Sequence, residues 1–223
     1  MDRLSIQVRD GLAPLRAVRR FRRAAEAVAA VEFALILPLM LSLYFGVAEL
    51  TQYINTSRKV TLAARTMADL LSREQDQVSQ SSLQLIVKAA KAVMQPYDAS
   101  KATFTVKAIG VYDDAGAQVR ICSGSRIAGA TDPGTVSVLP STTPPVPPGA
   151  YKYKGARYIQ AELTMTYTPL LGSAFSTVAN LTTLSEVIPW PVRNGATHNG
   201  AGPEVTLPNG SAAGAPCPAT FTG

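Results

Sequence analysis

Apolar residues run almost unbroken from Ala27 to Leu50, and between Phe33 and Ala48 no side chain is charged. A helix crossing a hydrocarbon core takes roughly 20 apolar residues at about 1.5 Å each, so the run predicts one transmembrane helix over residues 28–50. Past Leu50 the pattern turns amphipathic without a break. Val47, Leu50, Ile54, Ser57, Thr61, Ala64, Met67 or Ala68, and Leu71 recur at three- and four-residue steps, the spacing of one helical face. Gln52, Asn55, Arg58, Lys59, Arg65, Asp69 and Arg73 fall largely on the other sides. The same helix is expected to continue through residues 51–76. Its apolar face would cover a soluble core or form a seam between subunits.

Gln77 to Ser82 is a polar interruption, and Ser81 or Ser82 is the expected cap of a second helix. That helix would place Leu83, Ile86, Val87, Ala90 and Val93 on one side, carry Lys88 and Lys91 toward its negative end, and stop at Pro96. From Ala102 the period drops to two: Phe104, Val106, Ala108 and Gly110 alternate with Thr103, Thr105, Lys107 and Ile109. Asp113, Asp114 and Gly116 are turn residues, so Gln118 to Cys122 reads as the returning strand of a hairpin. Further strands are expected over residues 157–168 and 181–188, with Pro189-Trp190-Pro191 closing the ordered part. The proline-rich stretch 123–149 favours extended, unpaired backbone. Residues 193–223, rich in Gly, Ala, Pro and Asn, are expected to be disordered. The fold class is α+β: a long helix, then a small domain over residues 77–192 with helices on a short antiparallel sheet.

Charge gives the orientation. Residues 1–27 hold seven arginines against Asp2, Asp10 and Glu26, a net +4 out of +6 for the chain. Arginines in a short flank keep it cytoplasmic. The leader is therefore expected inside, and the domain on the periplasmic side of an inner membrane. A pI near 9.5 invites a nucleic-acid reading. Taking the leader's seven and three from the chain's 21 and 15 leaves 14 Lys/Arg against 12 Asp/Glu, too even a balance for one. A cleaved secretory signal is the competitor for the apolar run. It would have a shorter core, about 7–15 residues, and a small-x-small site, whereas Ala48-Glu49-Leu50-Thr51 follows here.

One acid, Glu32, interrupts the apolar segment near its start. The series of basic leader, small residues and Val31-Glu32-Phe33-Ala34-Leu35-Ile36-Leu37-Pro38 resembles the amino-terminal signature of the TadE/TadG-like family. These are pseudopilins and pilin-like assembly proteins of tight-adherence (Flp-type) secretion systems. Phe45-Gly46, the step from Glu49 to Tyr53 and the small run Ala63-Ala64 extend the likeness over roughly residues 19–72. The resemblance implies a pilin-like fold and cleavage by a prepilin peptidase between Ala27 and Val28, which makes Glu32 the fifth mature residue. The family commonly has glycine where Ala27 stands, and TadG-like relatives keep the anchor uncleaved. Glu32, Phe33 and Pro38 are the implied assembly residues. Glu32 would pair with the free amino group of a neighbouring subunit and fix register rather than add much net energy. The implied partners are other pilin-like subunits and the pilus-assembly platform, besides the inner membrane and the peptidase. The alternative is an unrelated single-pass periplasmic binding or scaffold protein with an uncleaved signal anchor.

Chemistry-bearing residues are few. Cys122 and Cys217 both follow the apolar segment, and an oxidising compartment permits a disulfide between them, tying the tail to the hairpin. Two unpaired thiols, or a bond to another chain, are the other readings. Two cysteines and one histidine are too few for a structural zinc site, which wants four ligands. His198 lies in the tail expected to be loose, and Asp113 and Asp114 are turn residues before they are an acid–base pair. Gly124-Ser125 and Gly172-Ser173 lack the context of a nucleophile elbow. Neither an enzyme, a cofactor nor a small-molecule substrate is expected.

Overall fold

The computed structural model describes residues 25–129, 131–132, 134–140, 143–169, 172, 183–199 and 201–221. The leader residues 1–24, the Ala27 side chain, Ser173 and the start of the expected fourth strand at residues 181–182 lie outside them. Helix α1 runs from Ala25 to Ser72 with Pro38 inside it. The chain divides into two compact units, Met1–Leu50 and Thr51–Gly223.

In the second unit, α1 and helix α2 (Gln80–Met94) cover one face of a five-stranded antiparallel sheet. Its strands are β1 (Ala102–Val111), β2 (Val119–Ala128), β3 (Val136–Val138), β4 (Arg157–Thr166) and β5 (Thr183–Pro191), in the order β3-β2-β1-β4-β5. The fold is α+β. Alternation in the long central strands builds the core. Phe104 sits opposite Leu163, Val106 opposite Ala161 and Ala108 opposite Ile159, so all six face the helices. Against them pack Val60, Ala63, Ala64, Met67, Ala68 and Leu71 of α1, and Leu83, Ile86, Val87, Ala90 and Met94 of α2. A β-bulge between Ala108 and Ile109 interrupts the β1–β2 register. Beyond it Ile109, Val111, Val119, Ala156 and Tyr158 form a second cluster, with Tyr151 stacked on Tyr158 at 4.5 Å.

Several elements depart from the sequence expectation. Within the second unit the buried positions of α1 begin at Thr56 and Val60, whereas Val47, Leu50 and Ile54, expected on that face, are 57%, 51% and 41% exposed. Thr56 can be buried because its hydroxyl donates to Gln52 O at 2.8 Å, which satisfies it within the helix. The N-cap of α2 is Ser79, whose Oγ accepts from Ser82 N at 3.0 Å, so the helix starts before the serines expected to cap it. Ser79→Ala should cost about 1 kcal/mol, read as a shift in the urea midpoint of the full chain in detergent. The amine of Lys91 donates to the carbonyls of Gly129 and Thr131 at 3.1 and 2.7 Å, fastening α2 to the turn after β2.

β2 continues to Ala128 and β3 follows it, so the stretch expected to be an unpaired loop over residues 123–149 contributes strands at both places. Ser123, Gly124 and Ser125 extend the ladder because β1 is long enough to pair with all of them. β5 includes Pro189, Trp190 and Pro191. As the last strand in the sheet order it has one ladder to fill, where proline is tolerated.

The largest correction concerns the tail. Residues 201–221 are ordered parts of the second unit, where β6 (Ala196–Thr197) pairs with β7 (Pro203–Glu204). Val205 and Leu207 are buried in the main core. Val78 N donates to Thr206 O at 2.9 Å, and Thr206 N to Asp76 O at 2.9 Å. Composition described the segment as a free chain, but two alternating apolar residues and a set of waiting hydrogen-bond partners suffice to order it on a formed sheet.

Candidate functional site

The helical stretch from Val28 to Leu50 bares its apolar side chains. Phe33, Leu35, Leu39, Leu43 and Tyr44 are all more than 60% exposed. None of the most apolar 18-residue window of α1 is buried, and the helix is long and apolar enough to cross a membrane. Uncovered apolar surface on this scale marks a membrane or protein partner, and it fits a single-pass membrane anchor. Glu32 and Pro38 are exposed on the same segment. Glu32 follows Val28 by four residues, one helical turn, so the two share a face. Pro38 leaves one carbonyl of the preceding turn without its helical donor, and α1 continues through it to Ser72. Among the described residues of this stretch Glu49 is the exception, being 1% exposed.

Residues 27–69 match the family model described as TadE-like protein. This segment is TadE-like. The match holds Ala27, Val28, Glu32, Phe33 and Pro38 in one stretch, and it supports a protein associated with tight-adherence pili and their assembly machinery. It ends before α2 and leaves the sheet outside. No curated protein matches the chain, and no solved structure matches it.

A second constellation lies at the end of the sheet where β1 finishes and β4 begins; the sequence allowed for its disulfide but gave no sign of its buried ion pair. Cys122 and Cys217 are joined in a disulfide, with Cα atoms 4.9 Å apart. Beside it the Arg157 and Glu204 side chains are 3% and 5% exposed, with Nε 3.5 Å from Oε2. Arg157 Nη1 donates to Val111 O and Ala156 O at 3.3 and 3.1 Å, and the guanidinium lies 4.9 Å from the Tyr112 ring centre. Both Glu204 oxygens accept from Cys217 N, at 3.2 and 3.1 Å. Burial pushes the Glu204 carboxyl above its usual range, against the pull of the Cys217 N–H and the Arg157 and His198 charges. Burial likewise raises the Tyr158 hydroxyl to about 12. Besides the two cysteines, the trace of this cluster in the sequence is Glu204-Val205-Thr206-Leu207, a short alternation inside a stretch otherwise poor in apolar residues.

The remaining polar candidates have structural partners. Asp113 Oδ1 accepts from Ala117 N and Gln118 N, and Asp114 Oδ1 from Lys154 N, which fixes the hairpin turn. His198 Nε2 lies 3.0 Å from Asp76 Oδ1, so it sits against the loop between the helices and not in a free tail. Ser125 Oγ donates to Pro208 O. Among the described residues no group of three or more His, Cys, Asp or Glu side chains could hold a metal ion.

Proposed function

We propose that the protein is a membrane-anchored, pilin-like subunit or accessory of a tight-adherence pilus. In this reading the bare stretch of α1 associates with neighbouring helices in and at the inner membrane, and the sheet domain meets other pilus components on the periplasmic side. The observation that carries it is the uncovered apolar run, with Glu32 near its start, inside the TadE-like match. Its work is association, with no catalytic step. Glu32 sets register by accepting the amino group that a cut before Val28 would create on a neighbour. Such a pair in a low-dielectric setting contributes specificity more than net stability.

The test is amino-terminal sequencing of the membrane-extracted protein made with and without a co-expressed prepilin peptidase, with cysteine-accessibility mapping of the domain from each side. A start at Val28 and a domain reached only from the periplasm are expected. A protein that leaves the membrane in carbonate, or a domain labelled from the cytosol, would overturn the reading. Retention of Met1 in both samples favours an uncleaved TadG-like anchor or an unrelated scaffold. Glu32→Gln should be membrane-inserted as before yet co-purify with other subunits at least about tenfold less, since a factor of ten needs only about 1.4 kcal/mol. Wild-type association by this variant would remove Glu32 from the role.

A further inference from the structure

We infer that the domain closes in two stages. The helices and sheet form first, and the strap of residues 203–217 is then locked on by exchange with a disulfide-donating protein, which Cys122 attacks and Cys217 releases. The inference rests on the proposed placement of the domain on the oxidising side. Cys122 is the β2 residue that the bulge leaves without a partner on β1, and its neighbours Ile121 and Ser123 are paired with Ile109 and Ala108 of that central strand. Cys217 follows it by 95 residues and is 1% exposed, so it reaches Cys122 only once the strap is seated.

The strap brings its own guides. Glu204 meets Arg157, Leu207 N donates to Ser123 Oγ at 2.9 Å, and Val205 and Leu207 enter the core. Asn199 Nδ2 donates to Cys217 O at 2.7 Å and Tyr112 OH to Pro218 O at 3.1 Å, bracketing the cysteine. Space for it is cleared by Gly110, where a Cβ would lie 2.9 Å from both Cys217 Sγ and Arg157 Nη1. The seated strap therefore presents the resolving thiol to one partner.

The exchange balances without any further reactant. The Cys122 thiolate attacks one sulfur of the donor disulfide, breaking that bond and leaving one donor thiolate. Cys217, as thiolate, then attacks the Cys122 sulfur and expels the second donor sulfur. Two protons leave the cysteine pair and two electrons pass to the donor, which ends as a dithiol. The rate follows thiolate fraction and access; Cys122 keeps its place on β2 in both stages, whereas Cys217 is buried beside it once the strap seats.

The experiment uses the full chain in detergent micelles, reduced and then exposed to glutathione disulfide, so its result does not depend on where the domain lies in a cell. In the reduced protein the amides of Val205, Thr206, Leu207 and Cys217 should exchange about 100-fold or more faster than in the oxidised one, as expected when a long loop loses its cross-link. Amides of β1 and β4 should keep their protection. Cys217→Ser should accumulate a mixed disulfide with glutathione at Cys122. Cys122→Ser should form none at Cys217 that closes the strap. Equal strap protection in both redox states, or preferential glutathionylation of Cys217 in the reduced wild type, would overturn the inference. Closure in micelles together with fully reduced cysteines in cells would instead sink the periplasmic placement.

Discussion

Glu204→Ala should destabilise the domain by about 3–5 kcal/mol, because it leaves the Arg157 guanidinium buried without its counter-charge. Arg157 is held in place by the carbonyls of Val111 and Ala156 and by the Tyr112 ring, so it cannot swing out to water without unmaking the end of the sheet. The same change deprives Cys217 N of both its acceptors. Replacing both partners by apolar residues of similar volume, Arg157→Met with Glu204→Leu, should recover most of the loss, since a buried pair stabilises little beyond a well-packed apolar one. Urea titration of the full chain in detergent checks both. A single variant within about 0.5 kcal/mol of wild type, the range of ordinary surface changes, would show that the charge is reached by water.

Acid should act on this pair in an unfamiliar direction. The Glu204 carboxyl is raised in the folded domain, so the fold binds its proton more readily than the unfolded chain does. Its contribution to stability is fully present below the unfolded value and is lost as pH rises through the folded one. On acidification from neutral pH, wild type should gain stability relative to Glu204→Gln, which has no such proton to bind. Parallel pH profiles for the two would remove burial as the dominant influence on this carboxyl.

The second large effect is expected from the cross-link. Closing a loop between residues 95 apart restricts the unfolded chain strongly. In the chain-entropy account a loop of this length is worth about 4–5 kcal/mol. Replacing Cys122 and Cys217 together by serine should lower the unfolding free energy by up to that amount, with most of the loss appearing as local opening of residues 203–217. The strap holds Val205 and Leu207 in the core, so it cannot leave without exposing apolar surface. A double variant as stable as wild type would show that those contacts and the Glu204–Arg157 pair hold the strap unaided.

Local pattern carried much of the architecture. The unbroken apolar run could only be a long helix, and its lack of charge made it a membrane candidate before any packing was known. Period-two alternation over Ala102–Val111 and Arg157–Thr166 specified two strands, because a strand with one covered face has few other solutions. The TadE-like match lies within that same legible segment. Glu32 was visible for the plainest of reasons: a carboxylate in an apolar helix needs an explanation.

What the sequence could not reveal depended on distance along the chain. Thr56 lies on the buried face of α1 because its hydroxyl finds a carbonyl one turn back, which hydropathy does not register. Residues 123–128 joined the ladder because β1 offered them partners. Residues 203–217 lie as a strap because Arg157, Ser123 and Val78 meet Glu204, Leu207 and Thr206, whereas the Cys122–Cys217 bond that fastens it was already among the sequence's readings. By itself the sequence determined the helices and the central strands, and marked a segment that fits a membrane anchor, because each satisfies its backbone or shows its face through neighbours close in the chain. Only the tertiary structure decided the strap and its buried ion pair, because groups 47 and 95 residues apart must meet before either has any reason to form.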